Sequence, residues 1–290
     1  MSMRLGIVGS VLFIAAYVAS LLIYVNSGMG HPHSVNEPQL GADATMVTID
    51  LEDIRSNNSV LSTNISVVPE PALLDPVTHK LNEDLTVEVT SVVTPSKRTW
   101  AKGSLPDVWP VSLILSGEVA DWPFDEYRSK PVTIEVERGA NETPVPASVV
   151  FVDRLLGWTV KPVDPSGAAS GPYQVDLSRT TSTVSFGVVI VVVYLALAGL
   201  GLFVAVQTRR NKRKFQPPMT TWYAAMLFAI MPLRQALPDS PPFGSWIDVS
   251  VVLWVIVVLV VSMMLYISSW WRHLAPEPAN PTSAAPTPKP

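Results

Sequence analysis

Four histidines and no cysteine are what this chain of 290 residues offers to metal, thiol or imidazole chemistry. Without cysteine there are no disulfides, thiol nucleophiles, iron–sulfur clusters or cysteine-type zinc sites. His31 and His33 flank Pro32, but no carboxylate stands near them at ligand spacing, so they define no metal site. His79 is isolated. Acidic residues are numerous, yet they fall on the outward positions of alternating segments, where a solvated surface is the default reading. No nucleophile elbow, zinc-protease helix, phosphate-binding glycine loop or dinucleotide fingerprint is present. We therefore expect no catalytic, cofactor or metal site, and a protein that is not an enzyme.

Two constellations have another kind of chemistry. Trp122-Pro123-Phe124-Asp125-Glu126-Tyr127 follows a strand-like segment. Pro123 fixes φ, the rings can pack on a sheet, and Asp125 can take up backbone donors of the turn. The sequence reads either as a corner of a β-domain or as a loop that touches a membrane-embedded part. The second constellation is Arg234 in an apolar stretch, with Asp239 and Asp248 following. A charge at mid-bilayer costs about 2.5–3.5 kcal/mol on insertion scales. Arg234 is thus expected to pair with Asp239 or Asp248, to pin the spans to Asp125 of the outer domain, or to meet an anionic headgroup.

These groups must be positioned by membrane-spanning elements. Charged residues make up only 15% of the chain and mean hydropathy is +0.31, against about 25% charged in a soluble domain. The uncharged run 5–25 exceeds the 7–15 residues of a signal-peptide core and reads as a retained anchor, residues 1–25. Phe186–Val206 and Ile247–Ser269 are two further runs of spanning length. Arg209, Arg210, Lys212, Arg213 and Lys214 follow the first of these, which places that end in the cytoplasm at the lipid surface. Trp246, Trp270 and Trp271 bracket the second as interfacial aromatics. Met219–Leu237 is shorter and contains Pro232 and Arg234. Charge parity makes it a crossing, because otherwise Arg272 and His273 would lie outside. The expectation is four transmembrane helices, three of them within 183–273, with both termini cytoplasmic.

Residues 26–180 then form an extracytoplasmic domain. They hold 21 acids and 11 Lys or Arg, a net charge of −10, against +6 for the remainder, which argues against nucleic-acid binding. Val47, Ile49 and Leu51, then Leu85, Val87 and Val89, then Val132, Ile134 and Val136 alternate with polar residues, as half-buried strands do. Further candidates are 60–68, 111–119, 147–152, 158–163 and 174–177. Strands of this number and spacing predict a β-sandwich. The fold class is thus an α+β membrane protein, four transmembrane helices plus one extracytoplasmic β-sandwich. The Pro-rich segment 274–290 cannot bury a core and reads as a disordered cytoplasmic tail.

The order of span, outer β-domain with Trp122-Pro123-Phe124-Asp125-Glu126-Tyr127, and later spans with Arg234, Leu237-Pro238, Pro241-Pro242, Gly244 and Asp248 resembles an actinobacterial membrane family of unknown function. One mycobacterial member that the chain resembles is an accessory subunit of the Mce lipid importer. The resemblance implies a plasma-membrane complex for lipid or fatty-acid uptake, with YrbE-type permeases, Mce proteins and an ATPase as partners. Trp122-Pro123-Phe124-Asp125 is also similar to the aromatic-Pro-Phe-Asp loop of pentameric ligand-gated channels, which implies the alternative of a channel-like or receptor-like protein with a β-sandwich sensor.

Overall fold

A computed structural model describes residues 11, 14–22, 25, 32–37, 40–41, 44–93, 96–163, 171–213, 216 and 218–273. The described residues of the N-terminal run, 11, 14–22 and 25, are helical. The rest of that run, His31, Lys214 and the tail 274–290 lie outside the described residues.

Alternating sequence becomes alternating burial. The strands are β1 (His33–Ser34), β2 (Thr45–Arg55), β3 (Val60–Val68), β4 (Leu85–Val89), β5 (Lys97–Trp100), β6 (Trp109–Gly117), β7 (Glu126–Ser129), β8 (Ile134–Arg138), β9 (Thr143–Pro144), β10 (Ala147–Asp153), β11 (Trp158–Val163) and β12 (Gln174–Arg179). One sheet has eight strands in the order β1-β10-β2-β3-β6-β7-β12-β11, and the other has four in the order β5-β4-β8-β9. Neighbours pair antiparallel except β10 with β2, which are parallel with Val149 opposite Val47 and Phe151 opposite Ile49. Val47, Ile49 and Leu51 of β2, Leu61 and Ile65 of β3 and Leu113 of β6 share one buried cluster with Val87 of β4 and Val136 of β8. Each such side chain contributes roughly 1.5–3 kcal/mol by leaving water.

Asp153 ends β10 with its carboxylate buried, its Oδ1 accepting the Leu155 N–H at 2.9 Å and its Oδ2 lying 3.9 Å from His33 Nε2. Burial pushes its carboxyl above the usual 3.8, and the Leu155 N–H and His33 only partly offset this. The folded acid therefore binds its proton more tightly than the unfolded one, so stability is lost as pH rises through the folded value. Asp153→Asn keeps an acceptor for Leu155 and removes the charge. It is expected to raise the melting temperature at pH 7, with the gain vanishing as pH falls below 4, and melts at the two pH values check this.

Three helices follow: α1 (Thr181–Arg209), α2 (Pro218–Gln235) and α3 (Leu253–His273), the last entered through one π turn, Asp248–Val252. By contacts the chain divides into two units, residues 1–188 with 241–246, and residues 189–240 with 247–290. In the second unit Tyr223 of α2 donates to the Gly201 carbonyl of α1 at 2.6 Å, and Tyr194 of α1 donates to the Ile230 carbonyl of α2 at 3.3 Å. A Cβ on Gly201 would lie 3.0 Å from Leu259 of α3, so the glycine lets the helices approach. Arg209, ending α1, bonds Ser268 near the end of α3 at 2.9 Å. The ends of α1 and α3 thus lie together, and α2 runs opposite to both.

The expectation of four transmembrane helices is corrected. Among the described residues two helices are long and apolar enough to cross a membrane, Thr181–Arg209 and Asp248–Trp271. α2 is not one of them: it has 18 residues, with Pro232 and Arg234 inside its last turns. The charge-parity argument counted it as a lipid-facing span. Its mixed sequence instead suits a helix that hydrogen-bonds to a neighbouring one. The architecture is a β-rich domain followed by helices, two of them of membrane-spanning character.

Candidate functional site

β12 runs without a loop into α1, and the turn expected to matter lies against that junction. Pro123 and the short helical turn before it turn Trp122 inward and Phe124 outward: Trp122 has no exposed surface and Phe124 is 69% exposed. The Trp122 ring lies where a Cβ on Gly187, in the second turn of α1, would come within 2.9 Å of it. Asp125, expected to serve the turn's own backbone, instead receives both arms of Arg179, the last residue of β12, with Nη2 to Oδ2 at 2.9 Å. Both side chains are buried, at 1% and 0% exposure. The guanidinium carbon stacks 4.4 Å from the centroid of Trp158, which meets Tyr127 edge-on at 5.6 Å. A bidentate, ring-covered guanidinium of this kind is specific to arginine.

The helix start is held from a second side. Gly157, at φ +83, offers its carbonyl to the Thr180 N–H at 3.0 Å and to the Thr183 hydroxyl at 3.1 Å. Thr180 caps the helix, its Oγ1 accepting the Thr183 N–H at 3.4 Å. Any side chain on Gly157 would meet Thr183 Oγ1 at 2.8 Å in a backbone conformation that favours glycine. Tyr127 lies beneath the clamp, and burial, then the charge of Asp125, pushes its phenol far above the ordinary value. Its hydroxyl lies near Ser56 and Asp125 but forms no hydrogen bond of ordinary geometry.

What this arrangement does is mechanical. It makes the last strand, the aromatic turn and the first two turns of α1 one solid piece. Gly187→Leu is expected to lower the melting temperature by several degrees, since overpacking costs about 1–3 kcal/mol. Gly199→Leu, where an added Cβ meets nothing within 4 Å, should not. Equal effects would remove Trp122 from the joint.

Arg234 is the second expected centre. It forms a bidentate pair with Asp248, Nε to Oδ1 at 2.8 Å and Nη2 to Oδ2 at 2.7 Å. The side chains are 5% and 15% exposed. Of the partners weighed for Arg234, the structure shows Asp248, while Asp125 pairs with Arg179. Asp239 stands in the exposed turn after α2, at φ +55. Of the basic cluster, Arg209 bonds Ser268, while Arg210, Lys212 and Arg213 occupy the turn after α1.

Sequence reasoning missed Arg179, Trp158, Gly157 and Gly187. One signal was available. Arg179 is a cation just before a span, at the end opposite the basic cluster, where the distribution of charge disfavours it unless it is paired.

Residues 35–177 match the family model of a domain of unknown function, DUF4436, and residues 179–273 match that of a second, DUF8686. No curated protein matches the chain. The two matches meet at Arg179, so the clamp lies where one module passes into the other.

Proposed function

We propose that this chain is a non-enzymatic, membrane-anchored accessory subunit that presents its β-domain to a larger plasma-membrane complex. The observation that carries the reading is the buried Asp125–Arg179 clamp at the β12–α1 junction. It fastens the end of the β-domain to the first turns of a helix of membrane-spanning length, and a well-ordered domain loses less conformational freedom on docking than a loose one. An Mce-type lipid or fatty-acid importer, with a YrbE-type permease and Mce proteins as partners, is the complex we favour, on the resemblance of the turn and of the Arg234–Asp248 segment. The test is affinity purification of the tagged full chain from native membranes in mild detergent. Co-recovery of YrbE-type and Mce proteins is expected, and recovery as a free monomer overturns the reading.

In this reading residues 26–180, with their net charge of −10, lie outside the plasma membrane. The Arg209–Arg213 turn and the end of α3 share the cytoplasmic side, because basic segments remain there. Cysteines placed at Ala140, at Gln216 and after His273 report this. The first is expected to react with an impermeant maleimide in intact cells, and the other two only after lysis.

The rival reading is a channel-like or receptor-like protein, motivated by the same turn. It requires conductance when the protein is reconstituted in a planar bilayer. Silent bilayers, with a defined complex recovered from membranes, are the expected pair of results.

A further inference from the structure

The end of the helical unit that bears the basic turn contains an open cleft of about 810 Å³. Its lining includes apolar Phe203, Val204 and Met219 together with Lys212, Arg213 and Gln207. No acidic residue lines it, and neither cation has an acidic partner among the described residues. The cations are not on a loose strand. Asn211 adopts φ +56 and closes α1 with two bonds, Asn211 N–H to the Thr208 carbonyl at 3.1 Å and Lys212 N–H to the Gln207 carbonyl at 3.1 Å. That is a helix-terminating Schellman arrangement, which fixes the backbone of Lys212 over the last turn. Across the cleft Tyr266 of α3 donates to the Gln216 carbonyl at 2.9 Å and accepts the Gln216 N–H at 3.0 Å, tying the far lip to α3.

One polar atom in this cleft lacks a partner. Gln207 Oε1 is shielded from solvent and accepts no hydrogen bond, an arrangement that costs about 1–3 kcal/mol when left unmade. The cleft thus combines two cations with no acidic partner among the described residues, an acceptor in want of a donor and an apolar wall that includes Phe203, which is 60% exposed.

We propose that this cleft is a binding site for one anionic phospholipid with a hydroxyl-bearing headgroup. Its phosphate is met by Lys212 and Arg213, a headgroup hydroxyl donates to Gln207 Oε1, and an acyl chain lies along Phe203 and Val204. Generic attraction of a basic turn to an anionic leaflet needs neither the enclosed acceptor nor the apolar wall. The inference rests on the membrane placement of α1 and α3, and not on the identity of any partner complex.

The test is native mass spectrometry of the full chain, extracted from membranes in mild detergent and titrated with dioleoylphosphatidylglycerol, dioleoylphosphatidate or dioleoylphosphatidylcholine. One phosphatidylglycerol adduct that survives activation is expected, with no equivalent phosphatidylcholine adduct. Lys212→Gln with Arg213→Gln should weaken it on the order of thirtyfold, given the usual contribution of each basic residue at an anionic surface. Arg210→Gln, in the same turn but outside the lining, should leave it unchanged. Gln207→Leu should weaken phosphatidylglycerol and spare phosphatidate. Equal loss in Arg210→Gln would reduce the effect to surface charge and overturn the site. Displacement of the adduct by 10 mM inorganic phosphate would make the ligand a free phosphate. If the glutamine variants do not fold, the lipid series on the unaltered chain decides, since equal adducts with phosphatidylcholine also overturn the proposal. A chain that leaves the membrane in carbonate without detergent overturns the membrane placement itself, a result distinct from a missing adduct.

Discussion

Asp125→Ala is expected to destabilise the β-domain by about 3–5 kcal/mol, because it strands the Arg179 guanidinium in a site that admits no water. The partners are 1% and 0% exposed, so solvent cannot replace the lost carboxylate, and the face of Trp158 offers only a fraction of the needed interaction. For a domain of this size such a loss lowers the melting temperature by roughly 10 °C. Arg179→Lys should recover little, since an ammonium cannot engage both carboxylate oxygens and stack on the indole together. The double replacement Asp125→Leu with Arg179→Met should recover most of the loss, because apolar residues of similar volume often match a buried pair. Thermal melts of the full chain in detergent, followed by near-ultraviolet circular dichroism, read all three. A fall of a degree or two in Asp125→Ala would mean that water reaches the pair and that the junction is soft.

Arg234→Ala is the second large effect expected. The pair joins the last turn of α2 to the π turn that opens the Asp248–Trp271 segment, so its loss unfastens both from one end. Removing one partner of a desolvated bidentate pair costs about 3–5 kcal/mol, whereas an exposed pair is worth about 0–1. At 5% and 15% exposure the first regime applies. The exchange Arg234→Asp with Asp248→Arg is expected to restore part of the loss. Survival of the monodisperse species on gel filtration after heating measures the effect. A loss under 1 kcal/mol would place the pair in water and leave α2 held by its tyrosines alone.

Elements with a long alternating run were legible in the sequence. Val47, Ile49 and Leu51 announce β2, and Leu85, Val87 and Val89 announce β4, because burial of one face imposes a period of two on residues that are adjacent in the chain. β1, β5, β7 and β9 were not legible: with two to four residues each, they are strands only because a neighbour supplies the ladder. The parallel pairing of β10 with β2 joins segments about a hundred residues apart, a match that no local pattern encodes. The same separation of scales governs the sites. Arg234 and Asp248 stand 14 apart in the chain, so their pairing was among the readings weighed. Arg179 and Asp125 stand 54 apart, and the turn alone pointed to a charge without pointing to its counterpart. α2 misled because hydropathy and charge parity count helices without asking what each one touches.

The length of α1 bears on where the β-domain ends. Its 29 residues extend about 44 Å at 1.5 Å per residue, while a hydrocarbon core is about 30 Å thick. That surplus is not apolar: the uncharged run 186–206 accounts for about 32 Å, which matches such a core. What exceeds it at the start is the polar first turn, and that turn is already bound to the β-domain, Gly157 holding Thr180 and Thr183 while Trp122 lies against Gly187. The boundary of the β-domain therefore falls inside the helix and not at its first residue. A β-domain expressed alone has to run to residue 188 to keep its own contacts.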